Sequence, residues 1–240
     1  GRRGEKRSVL QLSRTDDRIA RAERYVRETI EAVADEPLSI GHGYAHVDRV
    51  RRWALWLANQ EGYADRDRAE AAALLHDIGL GHLSPGDDRR AHGPIGAEVA
   101  VRFLRAEQLF PEWEIEAIAD AVRCHNAMRG AGQLGAILRD ADALDALGAV
   151  GLMRAFTSKH ALPEYDPGNV RGETWGLTAR DYDRRFAAGE GIGPTIVDQI
   201  NFQISFADNL STESARRAAK PLVAYMRAFL WQLAREVGEC

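Results

Sequence analysis

The chain has 240 residues, 45% of them hydrophobic and 28% charged, the balance of a soluble globular protein with ample material for a core. Its 32 basic and 36 acidic residues leave a formal charge of −4, which excludes the basic excess of a dedicated nucleic-acid binder. No apolar run approaches the ~18 residues of a membrane span, and the opening GRRGEKRSVL lacks the apolar stretch of a secretory leader, so a cytoplasmic setting is expected.

Apolar residues recur at intervals of three and four along most of the sequence, which is the helical period. The first helix is expected after Asp16 and Asp17, with Ile19, Ala22, Val26, Ile30 and Val33 on one face and a stop before Pro37. Residues 1–15 read as a flexible arm, and residues 16–240 as a single helical domain. A second helix over Tyr44 to Asn59 would bury Val47, Val50, Ala54 and Leu57, and an alanine-rich third would run from Arg66 to His76. Pro94 suits the first turn of a fourth helix, and Pro111 opens a fifth that carries Ile115, Ile118, Val122 and His125. A sixth spans Leu134 to Leu147, with more helix up to Ser158. Glycine, proline and charge dominate residues 163–194, which read as an irregular surface excursion with at most short helices. The last segment is again periodic, but Pro221 inside it predicts a kink or a break into two helices. Strand patterns are almost absent. The expected class is all-α.

Two cysteines, Cys124 and Cys240, make no disulfide framework, so a metal site in this chain would use nitrogen and oxygen ligands. His76 and Asp77 form a His-Asp pair where an apolar helix ends, and there the backbone can turn two consecutive residues toward one point. In GHGYAHVDRV a helical reading places His42, His46 and Arg49 on one face. His92 precedes Pro94, and His125 ends the apolar face of the fifth helix. In RDADALDALG, Asp142 follows the inward-facing Leu138 by four and shares a face with Asp145, so a carboxylate points toward the core. Asp140 and Asp145 otherwise read as polar-face residues, His82 and His160 as surface residues, and Trp53 with Trp56 as packing. An uncompensated buried carboxylate is costly, and a divalent cation is one economical partner. Taken together, His46, His76, Asp77, His92, His125 and Asp142 suit Mn, Fe, Co, Ni or Zn.

The order of these motifs resembles the HD-domain phosphohydrolase superfamily, and within it the small bacterial YedJ/YpgQ-like members. The metal pattern H…HD…D falls on His46, His76-Asp77 and Asp142, and its fuller form adds His92 and His125. The likeness extends through AAALLHDIG, RDADALDALGAVGLMR and LSTESARRAAKPLVAYMRAFLWQLARE, roughly Leu38 to Glu236. It implies a helical bundle of the HD type that hydrolyses phosphoesters or phosphoanhydrides with metal-activated water. The implied substrate is a small phosphorylated molecule, in the first place a nucleotide. The implied reaction is cleavage of a nucleoside triphosphate to monophosphate and pyrophosphate, or of a nucleotide phosphomonoester. By this likeness His46, His76, Asp77 and Asp142 hold the metal, and Asp77 also orients the attacking water. His92 and His125 hold a second ion or the phosphate, while Arg49, His42 and Asp145 contact substrate. One ion is expected, two are compatible with the ligand set, and a homodimer is compatible with the family. Two departures bear on the substrate: Ala143 stands where relatives carry a basic residue, and Asn201-Phe202-Gln203-Ile204 where they carry a Glu-Lys pair. A mixed-valent di-iron oxygenase and a non-catalytic signalling protein with a vestigial site are the competing readings.

Overall fold

The computed structural model describes residues 2–32, 41–83, 88, 91–127 and 130–238, with side chains from residue 17 onward. Among these residues the regular structure is helical and contains no strand. The elements are α1 (Arg2–Glu31), α2 (Tyr44–Gln60), α3 (Arg66–Leu75), α4 (His92–Ala106), α5 (Glu112–Cys124), α6 (Gly132–Asp145), α7 (Gly148–Ser158), α8 (Ala179–Ala187), α9 (Ile196–Ser205) and α10 (Glu213–Val237). Short 3-10 turns cover Ile78–His82 and Phe206–Asn209. The all-α expectation holds. No helix among the described residues is long and apolar enough to cross a membrane.

The contacts group into two compact units, Gly1–Arg139 and Asp140–Cys240, whose boundary falls within α6. In the first unit, Ile19, Ala22, Val26 and Ile30 of α1 and Val47, Val50, Ala54 and Leu57 of α2 are buried as their period requires. Val33 and Pro37 lie outside the described residues. Every residue from Ala69 to Leu80 is buried, so α3 is enclosed on all sides, which is why small alanines fill it. Asp65 caps it by accepting from the Arg68 amide.

Three element boundaries differ from the sequence reading. α1 starts at Arg2, so Asp16 and Asp17 lie inside the helix rather than at its cap. No proline interrupts residues 2–15, and Gly4 alone costs only about 1 kcal/mol of helix propensity. His42 precedes α2, whose N-cap is Gly43, so His42 and His46 do not share a helical stripe. α10 is continuous through Pro221, so of the two expected outcomes the break into two helices is not found. Pro221 is exposed, so the carbonyl that loses its intrahelical partner can turn to water.

In the second unit, residues 163–194 hold α8 and are not wholly superficial. Thr174 and Tyr182 are buried, and the Asp198 carboxylate accepts from the Thr174 amide and hydroxyl at 3.1 and 2.7 Å. It also accepts from the Thr195 amide and hydroxyl at 3.2 and 2.7 Å, fastening the excursion to α9.

Candidate metal centre

Asp77 follows the C-cap of α3, so its side chain escapes the helical repeat and sits beside His76. Gly79 lets this turn dock directly on the start of α4. A Cβ at Gly79 would stand 2.1 Å from the His92 carbonyl oxygen and 2.6 Å from the Gly96 nitrogen. Gly93 does the same between α4 and α5, where a Cβ would meet the Arg123 carbonyl oxygen at 2.8 Å. These two approaches bring His92 and His125 to the His76-Asp77 turn, and α2 delivers His46 from the other side.

The Asp77 carboxylate is the hub. His46 Nε2 lies 3.4 Å and His76 Nε2 3.5 Å from Asp77 Oδ2, and the two imidazole nitrogens are 3.2 Å apart. On the other oxygen, His92 Nε2 lies 3.3 Å and His125 Nε2 3.6 Å from Asp77 Oδ1, with 2.9 Å between them. Two triangles of donor atoms therefore share one carboxylate, each using one oxygen. Ligands about 2.1 Å from a common ion lie roughly 3.0–3.5 Å from one another, close to the 3.2–3.5 Å of one triangle and the 2.9–3.6 Å of the other. The donor chemistry fits a borderline divalent cation.

The ring orientations are fixed from behind. His76 Nδ1 and His125 Nδ1 each lie 2.7 Å from a backbone carbonyl three residues back, Ala73 and Val122 respectively. A carbonyl accepts only, so Nδ1 carries a hydrogen and Nε2 faces the centre, where an ion could take the place of its proton. His46, His76, Asp77, His92 and His125 are all buried, His76 completely. Burial would raise the Asp77 carboxyl, but the charges of His76 and His42 and hydrogen bonds from His125 and His42 outweigh it. The carboxyl is held well below its ordinary range.

The remaining sequence-predicted residues are placed as follows. His42 Nδ1 lies 2.6 Å from Asp77 Oδ2 and remains partly exposed, which puts it against the hub. Arg49 is partly buried on α2, and Asp142 is partly buried on the stretch of α6 that belongs to the second unit. Asp145 is buried and accepts from Arg154 Nη1 at 3.0 Å, the geometry of an internal ion pair. Asp140 is not a polar-face residue: it is buried and accepts from the amides of Ser211 and Thr212 and from the Thr212 hydroxyl, anchoring the start of α10. His82 and His160 are exposed, as expected. Trp53 and Trp56 pack edge to face at 5.7 Å.

Residues 43–147 match the HD domain family model. Over more than nine-tenths of its length the chain is similar to solved structures. A Lactobacillus plantarum protein is 23% identical with a TM-score of 0.67, over 93% of this chain and 98% of that one. An HD-superfamily hydrolase from Bacillus thuringiensis is 25% identical with a TM-score of 0.63, over 92% and 97%. Bacillus subtilis YpgQ, solved in complex with ADP, is 19% identical with a TM-score of 0.61, over 94% and 97%. No functionally curated protein matches the sequence.

Proposed function

We propose that this chain, a member of the HD superfamily, is a metal-dependent phosphohydrolase whose substrate is a nucleotide. The observation that carries the reading is the pair of donor triangles on Asp77, with every imidazole Nε2 turned inward. A divalent ion bound there would bring the pKa of a coordinated water near neutrality and polarise a phosphoryl oxygen.

His46, His76 and Asp77 would hold the first ion, with Asp142 as the fourth ligand implied by the family pattern. His92 and His125 would take a second ion through the other Asp77 oxygen, or a phosphoryl oxygen directly. Asp77 is the residue positioned to orient the attacking water, because it touches both triangles. Its carboxyl stays ionised and accepts hydrogen bonds well below neutral pH. His42 would steady that carboxylate, and Arg49 would contact phosphate from α2. Asp145, engaged by Arg154, would set the position of α7 rather than touch substrate.

A nucleotide is supported by the ADP bound to YpgQ. Cleavage to monophosphate and pyrophosphate is the specific reaction expected. No glycine-rich phosphate cradle is present in the sequence, so the charge for phosphate must come from the ion and these side chains.

The test is a panel of nucleoside tri-, di- and monophosphates with Mn, Co, Ni, Mg and Fe, run beside Asp77→Ala, with products resolved by ion-exchange chromatography. Equimolar monophosphate and pyrophosphate from a triphosphate, lost by at least about 1,000-fold in the variant, is the expected result. Turnover that survives in Asp77→Ala overturns the mechanism. Turnover that requires oxygen and iron assigns the di-iron oxygenase chemistry instead.

A further inference from the structure

A second concave site lies wholly within the second unit and shares no residue with the metal centre. It is a cavity of about 330 Å³ walled by Trp175, by Asn201 of α9, by Asp208 of the 3-10 turn that follows it and by Arg227 and Trp231 of α10. Cavities of this size hold small organic ligands. The two indoles meet edge to face, with centroids 5.8 Å apart at 86°. The Arg171 guanidinium sits 4.0 Å from the Trp231 ring centroid and 5.7 Å from that of Trp175, which stiffens the aromatic wall.

Two features make this wall unusual for a packing cluster. Trp231 is 48% exposed although it lines a cavity, so much of its apolar surface is left to water. Arg227 lines the same cavity and forms no hydrogen bond or ion pair among the described residues. Asp208 supplies an acceptor on the rim, held by a 2.9 Å hydrogen bond from the Ala179 amide to its Oδ2. An aromatic platform, a guanidinium and one fixed carboxylate within a space of that volume select a planar ring that carries an anionic group and a hydrogen-bond donor.

We propose that the second unit binds a small heteroaromatic anion in this cavity, its ring against Trp175 and Trp231 and its phosphate or carboxylate on Arg227. Asp208 accepts from an amino or hydroxyl group of the ligand. The site does not depend on the hydrolase reading, and its test can be run with hydrolysis silenced.

The experiment is isothermal titration of the full chain carrying Asp77→Ala, freed of metal, with adenosine 5′-monophosphate, adenosine and indole-3-acetate. At least one of the two anions is expected to bind saturably at one site per chain. Arg227→Ala and Trp231→Ala should each weaken that binding about tenfold, since a charge-assisted hydrogen bond and a stacked base each contribute on the order of 1–3 kcal/mol. Trp231→Phe should restore part of the loss. If the nucleotide binds, its advantage over adenosine should vanish in Arg227→Ala. If only indole-3-acetate binds and depends on Arg227, the ligand is an aromatic carboxylate. No saturable binding of either anion, or binding indifferent to both substitutions in variants that remain folded by circular dichroism, overturns the proposal.

Discussion

His42 shows how much one side chain outside the donor triangles can matter. Its Nδ1 lies 2.6 Å from Asp77 Oδ2, the oxygen that also faces His46 and His76. A carboxylate that accepts such a bond is fixed in orientation before any ion arrives, and partners of this kind are typically worth 10–100-fold in metal affinity. His42→Ala is therefore expected to weaken Mn or Co binding by about that factor, measured by equilibrium dialysis, and to lower the thermal midpoint of the metal-free protein, because the buried Asp77 carboxylate loses one of the groups that hold it ionised. Equal affinity in the variant would mean that Asp77 needs no such support. The sequence reading places His42 on a helical stripe with His46, whereas the structure puts it ahead of the helix and against Asp77.

A second residue-scale prediction concerns Tyr44, whose hydroxyl donates to Glu23 Oε1 at 2.6 Å and ties α2 to α1. Burial, and then the hydrogen bond and charge of Glu23, push the Tyr44 hydroxyl up from 10.0 to about 12. The unfolded chain releases this proton first, so the contribution is complete below pH 10 and disappears as the pH rises to about 12. Urea unfolding of wild type and Tyr44→Phe across that range should show their difference shrinking with pH. A difference that stays constant from pH 9 to 12 would contradict the assignment.

At the scale of elements, two tight junctions build the centre, and neither was evident in the sequence. Gly79 is the point where the His76-Asp77 turn touches α4. Backbone atoms stand where a Cβ would go, so they, rather than a flexible side chain, would have to yield. Gly79→Ala should cost about 1–3 kcal/mol by overpacking and, by displacing His92, should weaken metal binding as well. Chemical denaturation and dialysis read the two effects separately. A variant with wild-type stability would show that the turn can relax.

The Asp198 node makes the same point in the second unit. Thr195 and Asp198 form the capping box of α9, and the same carboxylate also holds Thr174, which is far away in sequence. Removing the carboxylate leaves four donors unanswered in a buried place, so Asp198→Ala is expected to destabilise by about 3–5 kcal/mol, with an earlier denaturant midpoint. Periodicity locates α2 and α5 because each buries a definite stripe. It cannot report which distant loop a buried carboxylate will hold.

For the molecule as a whole, the ordered histidines and aspartates were more legible than the element ends. Each imidazole alone has an ordinary structural reading, but four such groups on different segments meet at one carboxylate only if the chain folds in one way. That convergence has a thermodynamic consequence. In the metal-free protein, four imidazoles and a carboxylate are buried together, an arrangement that an ion would stabilise. An ion that binds the folded chain and not the unfolded one adds about 2.7 kcal/mol at a hundred times its dissociation constant. Chelation should therefore lower the thermal midpoint, and Mn or Co should restore it in a concentration-dependent manner. Hydrogen exchange should place the recovered protection in α2, α3, α4 and α5, the helices that carry or flank His46, His76, Asp77, His92 and His125. Uniform protection along the chain, or none, would mean that the imidazoles are held by hydrogen bonds alone and that the ion is not part of the fold's stability.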